Sequence, residues 1–299
     1  MRITNKTDLP QAVVDAVTND PYDRGDCDIS ATSLVGPPQI RQLAEAHWDE
    51  LEEDAGDRIW ALLGQAVHTI LERAAPSDVA EQRLFAECNG HTISGQVDHM
   101  GLKNKTLTDY KVTSAWTAVS GVKPEWICQL NVYAWLCRMN GIEIENLGIV
   151  AFYRDWSWSR AMQSQDYPPS QVGQIPIVTW DQDFAQEYIE ARLAKHFGEE
   201  YVPCTDEERW AKPEQWAVMK EGRKSALRVL ESKSDAIGWA WDNGHLASYG
   251  GNSEEGIVDG TFKAGYYLEE RPREYTRCGR YCLVSGFCPQ YAKENDNAE

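Results

Sequence analysis

The sequence lacks any long hydrophobic run. Its longest apolar stretches, such as Ile59 to Leu63 and Ile149 to Phe152, fall far short of the roughly 20 residues that a membrane-spanning helix needs. It also lacks an excess of positive charge: 29 Lys and Arg against 47 Asp and Glu leave a net charge of -18. That excludes a protein that coats nucleic acid through a broad basic surface, but not one that gathers acidic ligands around a metal ion. Cysteine is too scarce for a disulfide scaffold, at 8 in 299 residues, and Met1 to Thr7 contain no apolar h-region. The expected location is therefore the cytoplasm, with no membrane partner. No internal repeat is present. Low complexity is confined to Lys293 to Glu299, expected to be unstructured. What remains, 42% hydrophobic and 25% charged, suits one large globular domain, or a domain with a second lobe.

Residues 1–35 are turn-rich, and a polar helix is expected from about Gln39 to Glu53. Apolar residues at helical spacing (Ile59, Leu62, Leu63, Ala66, Val67, Ile70) predict a strong helix over Asp57 to Ala74. The period then changes to two. Ala80 to Glu87, Thr92 to Met100 and Leu107 to Ser114 read as strands. Pro124 can open a helix that runs to about Met139 and stops at Asn140-Gly141. Leu147 to Arg154 is a nearly continuous apolar strand. A strand (Val172 to Val178), a helix (Asp181 to Phe197) and a connector (Tyr201 to Lys212) follow. Then come a hairpin around Glu221-Gly222, a helix (Lys233 to Trp241), a loop (Ser248 to Gly256) and a last strand.

The middle of the chain carries the chemistry. In Ser94-Gly-Gln-Val-Asp98, alternation puts Ser94, Gln96 and Asp98 on one face. Asp109 and Lys111 share a face of the next strand, so a hairpin can bring Asp98 beside them. Two carboxylates and an ammonium suit metal chemistry on a phosphodiester: carboxylates hold a hard cation such as Mg2+ or Mn2+, and the lysine positions water. Alone, such a trio is common by chance and more often describes a surface salt bridge between strands. His68, four residues after Gly64, can complete a metal shell, with the glycine permitting close approach. Gln129 and Tyr133, spaced i, i+4 on the next helix, can project together. Glu81, at the start of the first strand, is a possible supporting group.

The order of these parts resembles the PD-(D/E)xK nuclease superfamily, in particular its RecB-type branch, which includes CRISPR-adaptation nucleases and phage exonucleases. The matching stretches are Gly64-Gln-Ala-Val-His68, Gly95-Gln-Val-Asp98, Asp109-Tyr-Lys111 and Gln129-Leu-Asn-Val-Tyr133. Asp109 stands where many members have Glu. The resemblance implies an α/β fold with a restriction-endonuclease-like core, a central mixed sheet flanked by helices, and a C-terminal cysteine-cluster lobe. The expected divisions are an N-terminal helical arm (1–55), the nuclease core (56–200) and the lobe (201–299). It implies DNA cleavage, exonucleolytic, in phage or mobile-element recombination or repair. Asp98, Asp109 and His68 would hold the Mg2+ or Mn2+, Lys111 would orient water, and Gln129 and Tyr133 would position the strand. DNA is the expected partner, with a strand-annealing recombination protein as a second, in the host cytoplasm if the chain is phage-encoded. The alternative function is a DNA-binding or adaptor protein of the same fold.

Cys278-x3-Cys282-x5-Cys288 places three thiols close enough to ligate one metal centre. Reduced thiols and a structural zinc are the other readings. The resemblance favours a 4Fe-4S cluster closed by a distant cysteine. Cys204, in a Pro-Cys-Thr-Asp loop, is the expected fourth ligand, and Cys27 is the alternative. Cys88, Cys128 and Cys137 read as buried core thiols. Lys220, Arg223, Lys224 and Arg228 form one basic group, and Arg271, Arg273, Arg277 and Arg280 another. Each is either a phosphate contact or a solvated face. Some of the 12 tryptophans could stack single-stranded bases, as others fill the core.

Overall fold

The computed structural model describes residues 1–19, 23–74, 79–250 and 259–296. They fall into two units: Met1–Pro203 with Gly286–Ala292, and Cys204–Ser285 with the residues from Lys293 onward. Among the described residues, no helix is long and apolar enough to cross a membrane.

The first unit begins with β1 (Arg2–Thr4), α1 (Gln11–Thr18), β2 (Ile29–Ser30), α2 (Ala31–Val35), α3 (Pro38–Ala46) and β3 (Glu52–Asp54). There follow α4 (Ile59–Ala74), β4 (Val79–Cys88), β5 (His91–Gly101), β6 (Thr106–Thr113), α5 (Trp116–Ser120), α6 (Pro124–Met139), β7 (Asn146–Tyr153), α7 (Trp158–Gln163), β8 (Val172–Ile177) and α8 (Gln182–Phe197). The fold is mixed α/β, with a central mixed sheet flanked by helices. β4 pairs antiparallel along one edge of β5. The other edge is shared. β2 runs parallel beside Ile93 and Ser94, while β6 runs antiparallel beside His99 to Gly101. β7 then lies parallel to β6, and β8 antiparallel to β7.

α6 matches its expected bounds because both ends carry local signals. Pro124 occupies the first turn, and Asn140 caps the end before Gly141 at φ 74. It is buried nearly all round, with Leu130, Val132, Trp135, Leu136 and Cys137 against the sheet core and its surroundings. α8 starts on Asp181, whose side chain accepts from the Phe184 N–H at 2.8 Å.

The second unit holds β9 (Ala211–Lys212), β10 (Gln215–Lys220), β11 (Arg228–Leu230), α9 (Lys233–Asp242), β12 (Leu246–Gly250), β13 (Asp259–Phe262), β14 (Tyr266–Arg271), β15 (Glu274–Tyr275) and α10 (Thr276–Arg280); the last helix, α11, is Pro289–Asp296. The expected hairpin is there, β10 against β11. α9 packs Ala236, Ile237 and Ala240 into a small core with Val218 and Leu246.

Several expectations are corrected. The first 55 residues are not simply helical: β1 pairs parallel with β3, and β2 enters the central sheet. Two-residue and three-residue strands are too short to show a period, yet Ile29 is buried against β5. The polar helix stops at Ala46, where His47 caps it, short of Glu53. Ser248 to Gly250 belong to a strand paired with β13, and the rest of the expected loop lies outside the described residues. Lys293 to Asp296 are helical, and 297–299 lie outside the described residues. Cys88 and Cys137 are buried, but Cys128 is only half-buried.

α8 fastens the N-terminal segment to this core. Arg192 donates to the carbonyls of Leu34, Val35 and Gly36. His196, fully buried in the last turn, donates from Nε2 to Leu34 O at 2.9 Å, and its Nδ1 accepts from Arg41 Nε at 3.2 Å. Burial, seconded by the Arg192 and Arg41 charges, lowers its pKa to about 4. The unfolded chain takes up this proton near pH 6.5. The contribution to stability is therefore full above about pH 6.5 and is lost as pH falls toward 4, on the order of 3 kcal/mol. Urea unfolding should show His196→Gln losing less stability than the parent between about pH 7 and pH 5. An identical pH dependence in both would contradict this account.

Candidate metal and phosphodiester site

The β4–β5 register pairs Ala80 with His99 and Gln82 with Val97, which sets Glu81 opposite Asp98. The β5–β6 register ends at His99 with Thr108, which sets Asp98 opposite Asp109 one step on. Residues facing each other across strands share a side of the sheet. Glu81, Asp98 and Asp109 therefore form an acidic row across three strands. Glu81 itself is left-handed, at φ 50, a conformation a non-glycine residue adopts at some cost.

Asp98 Oδ2 accepts the Tyr110 N–H at 2.7 Å, and Oδ1 lies 3.5 Å from His68 Nδ1. The same Nδ1 is 3.4 Å from Glu81 Oε1, while Nε2 donates to Tyr110 O at 3.0 Å. Asp98 and then Glu81 favour the imidazolium and push its pKa up to about 10, against burial. Asp109 is buried, 2% exposed. Lys111 donates to its Oδ1 at 3.0 Å and sits 2.8 Å from Oδ2, which is buried and receives no hydrogen bond. Burial raises the Asp109 pKa, Lys111 opposes the rise and Asp98 adds to it.

Lys111 also donates to Gln129 Oε1 at 3.1 Å, and Gln129 Nε2 donates to the Tyr133 hydroxyl at 2.8 Å. Burial, with Asp109 nearby, raises the Tyr133 pKa, so the phenol stays protonated. A cavity of about 780 Å³ joins these groups; its other walls include Ser30, Thr32 and Ser33 and the α4 positions Gly64, His68 and Glu72.

All the expected residues of the middle region thus meet in one cavity. Among the described residues, the set of ligating side chains with atoms within 4.8 Å of one another is His68, Glu81 and Asp98. Asp109 is outside that set, its carboxylate turned to Lys111, and Glu81 is inside it. The donors fit a hard divalent cation: oxygens dominate, and a carbonyl already holds the His68 Nε2–H, leaving Nδ1 to ligate. Sequence reasoning passed over Gln96, which donates to Glu81 Oε2 at 2.6 Å and accepts from Arg83 at 2.6 Å. Its place two residues before Asp98, on the same face, was the available signal. The hydroxyls of Ser30, Thr32 and Ser33 had none.

None of the four cysteines is among the residues that line this cavity. Cys204, Cys278 and Cys282 belong to the second unit and Cys288 to the Gly286–Ala292 segment of the first. In the second unit, Arg209 keeps its charge despite burial because Glu294 and the Cys278 sulfur both favour it. Cys27 packs in the first unit, its sulfur 3.2 Å from Ser94 Oγ.

No family model matches the chain, and no curated protein matches it. Among solved structures the chain is similar to a protein named SSO0001, at 17% identity over 67% of this chain and 87% of that one, with a TM-score of 0.42. It is also similar to a phage-related exonuclease from Haemophilus somnus 129PT, at 12% identity over 62% of this chain and 77% of that one, with a TM-score of 0.27. Scores this low carry no argument about this chain.

The two motif glycines differ. A Cβ at Gly95 would stand 2.6 Å from Leu136 Cδ1 and 2.9 Å from the Tyr133 ring, whereas one at Gly64 would meet nothing within 4 Å. Close approach is therefore required at Gly95 and not, as expected, at Gly64. Gly95→Ala should lower stability by about 1–3 kcal/mol through overpacking under Tyr133. Gly64→Ala, inside α4, should raise it by up to about 1 kcal/mol. Thermal unfolding of the two variants checks both signs.

Proposed function

We propose that this cavity is the active site of a metal-dependent DNA nuclease of the PD-(D/E)xK type, working from strand ends. The observation that carries the reading is Asp98 facing Asp109 across the parting strands, with the Lys111 ammonium 2.8 Å from Asp109. The motif order in the sequence and the restriction-endonuclease-like succession of helix, three strands, helix and strand support it.

Asp98 and Asp109 would hold Mg2+ or Mn2+, with His68 as a further ligand and Glu81 beside them. Such a cation neutralises charge developing on a phosphate and acidifies a water. The chain's own residues do the rest. Asp109 and Gln129 fix the Lys111 ammonium from two sides, so its remaining proton can be directed at the attacking water or at a phosphate oxygen. Gln129 is itself held by Lys111 and Tyr133, and the protonated Tyr133 can donate to the substrate strand. Burial keeps Asp98 and Asp109 in place, and the Tyr110 N–H orients Asp98.

Asp109→Asn and Lys111→Met should each lower Mn2+-dependent cleavage of linear DNA at least about 100-fold, the loss typical when one charge-stabilising group is removed. Near-parental rates in either folded variant would overturn the site. A covalently closed circle of the same sequence should be cleaved more slowly than its linear form. Equal initial rates would overturn the exonuclease mode and leave the site standing.

For Cys204, Cys278, Cys282 and Cys288 the proposal is a 4Fe-4S cluster, on the sequence pattern and its resemblance. Protein purified without air should be brown and hold about four irons per chain. Cys204→Ser should bleach it and Cys27→Ser should not; stoichiometric zinc in iron-replete protein would contradict the cluster.

A further inference from the structure

Trp48, Trp60, Trp116 and Trp158 are exposed in the first unit, and an arginine side chain lies over Trp60 and over Trp116. Trp60, in the first turn of α4, lies on the same helical face as Gly64 and His68. It is 59% exposed, and the Arg154 guanidinium lies over its ring, 4.5 Å from the centroid. Trp116, which opens α5 five residues after Lys111, is 52% exposed. Arg160 lies over it at 5.7 Å, and Tyr167 braces it edge-on at 6.0 Å. Among the described residues, neither Arg154 nor Arg160 is in an ion pair, in a chain of net charge -18.

One clamp holds both stacks. The Asp155 carboxylate accepts the Ala115 N–H and the Ser114 hydroxyl, each at 2.7 Å, and the Arg154 N–H donates to Thr113 O at 2.9 Å. The ends of β6 and β7 are thereby tied together. Trp116 adjoins Ala115 on one side of the clamp, and Arg154 adjoins Asp155 on the other. Through Arg154, the clamp also reaches the start of α4. The chain links the stacks to the cavity wall through both α4, which carries His68, and β6, which carries Asp109 and Lys111.

We propose that the Trp60–Arg154 and Trp116–Arg160 stacks bind a single DNA strand and lead it to the cavity, which makes single-stranded DNA the substrate class. The word substrate rests on the nuclease reading; the binding does not. A guanidinium plane resting on an indole is itself a stacking surface, and its edge donates to phosphate. Each such unit thus offers a face to a base and a donor to a phosphate. Paired bases inside a duplex keep their faces stacked on one another, so apart from its two end pairs a duplex offers these rings no face to stack on. Its denser phosphate charge is also repelled by the acidic chain.

The test is fluorescence anisotropy of the full chain in EDTA, with a labelled oligothymidylate and with a blunt duplex of equal length. The single strand should bind more tightly. Trp60→Leu and Trp116→Leu should each weaken single-strand binding at least about fivefold, the loss expected for one stacked base. Trp60→Phe and Trp116→Phe, which keep a ring, should retain most of the affinity. Leu variants that melt like the parent and bind the strand as tightly would overturn the proposal, as would Phe variants that lose as much as Leu. Equal affinity of the parent for duplex and strand would overturn the substrate class. Parental strand binding with the Leu and Phe pattern intact, but without Mn2+-dependent cleavage, would support these stacks and overturn the nuclease reading instead.

Discussion

Asp98 accepts the backbone N–H of Tyr110 with a side-chain oxygen, 2.7 Å away, at the point where the β5–β6 ladder stops. A backbone donor freed from a ladder inside a protein needs another acceptor, and this carboxylate supplies it. The exchange lets β6 leave β5 and continue beside β7. It also fixes Asp98 opposite Asp109, with both side chains on one side of the sheet. Two carboxylates held this close and this deep must be offset by positive charge. Lys111 and His68 provide it, one from the same strand as Asp109 and one from α4.

The position of those cations depends on packing further out. α6 lies against β5 closely enough that a side chain at residue 95 would overlap Leu136 and Tyr133. That approach is what sets Gln129 within reach of Lys111, because Gln129 and Tyr133 share one face and Tyr133 is wedged on the sheet. Beside Tyr133, Ser30, Thr32 and Ser33 precede the Leu34–Gly36 turn, which Arg192 and His196 hold from 156 or more residues away in sequence. The cavity is therefore a junction of three independently anchored pieces rather than a single loop. Close-packed interiors absorb small volume changes poorly, so the Gly95 contact with Tyr133, though made by uncharged atoms, bears on the lysine through Gln129.

Much of this is legible in the chain before any fold is known. Alternation alone puts Asp98 with Gln96, and Asp109 with Lys111, on common faces. Helical spacing alone pairs Gln129 with Tyr133, and Pro124 with Asn140-Gly141 marks both ends of α6. These are properties of period and of local backbone preference, and they do not depend on what lies across the core. Decided only by the tertiary structure are the level at which strands meet and the surfaces left uncovered. Glu81 joins Asp98 and His68 through the β4 register and its own left-handed backbone. Ile29 and Ser30 enter the sheet as a parallel pair too short to carry a period. Gly64 and Gly95 look alike in their motifs, and only the helix overhead distinguishes them. Trp60 and Trp116 likewise read as any tryptophan until Arg154 and Arg160 are seen lying over their exposed rings. Register, close approach and exposure each arise from contacts between segments tens of residues apart, and a local pattern holds no record of them.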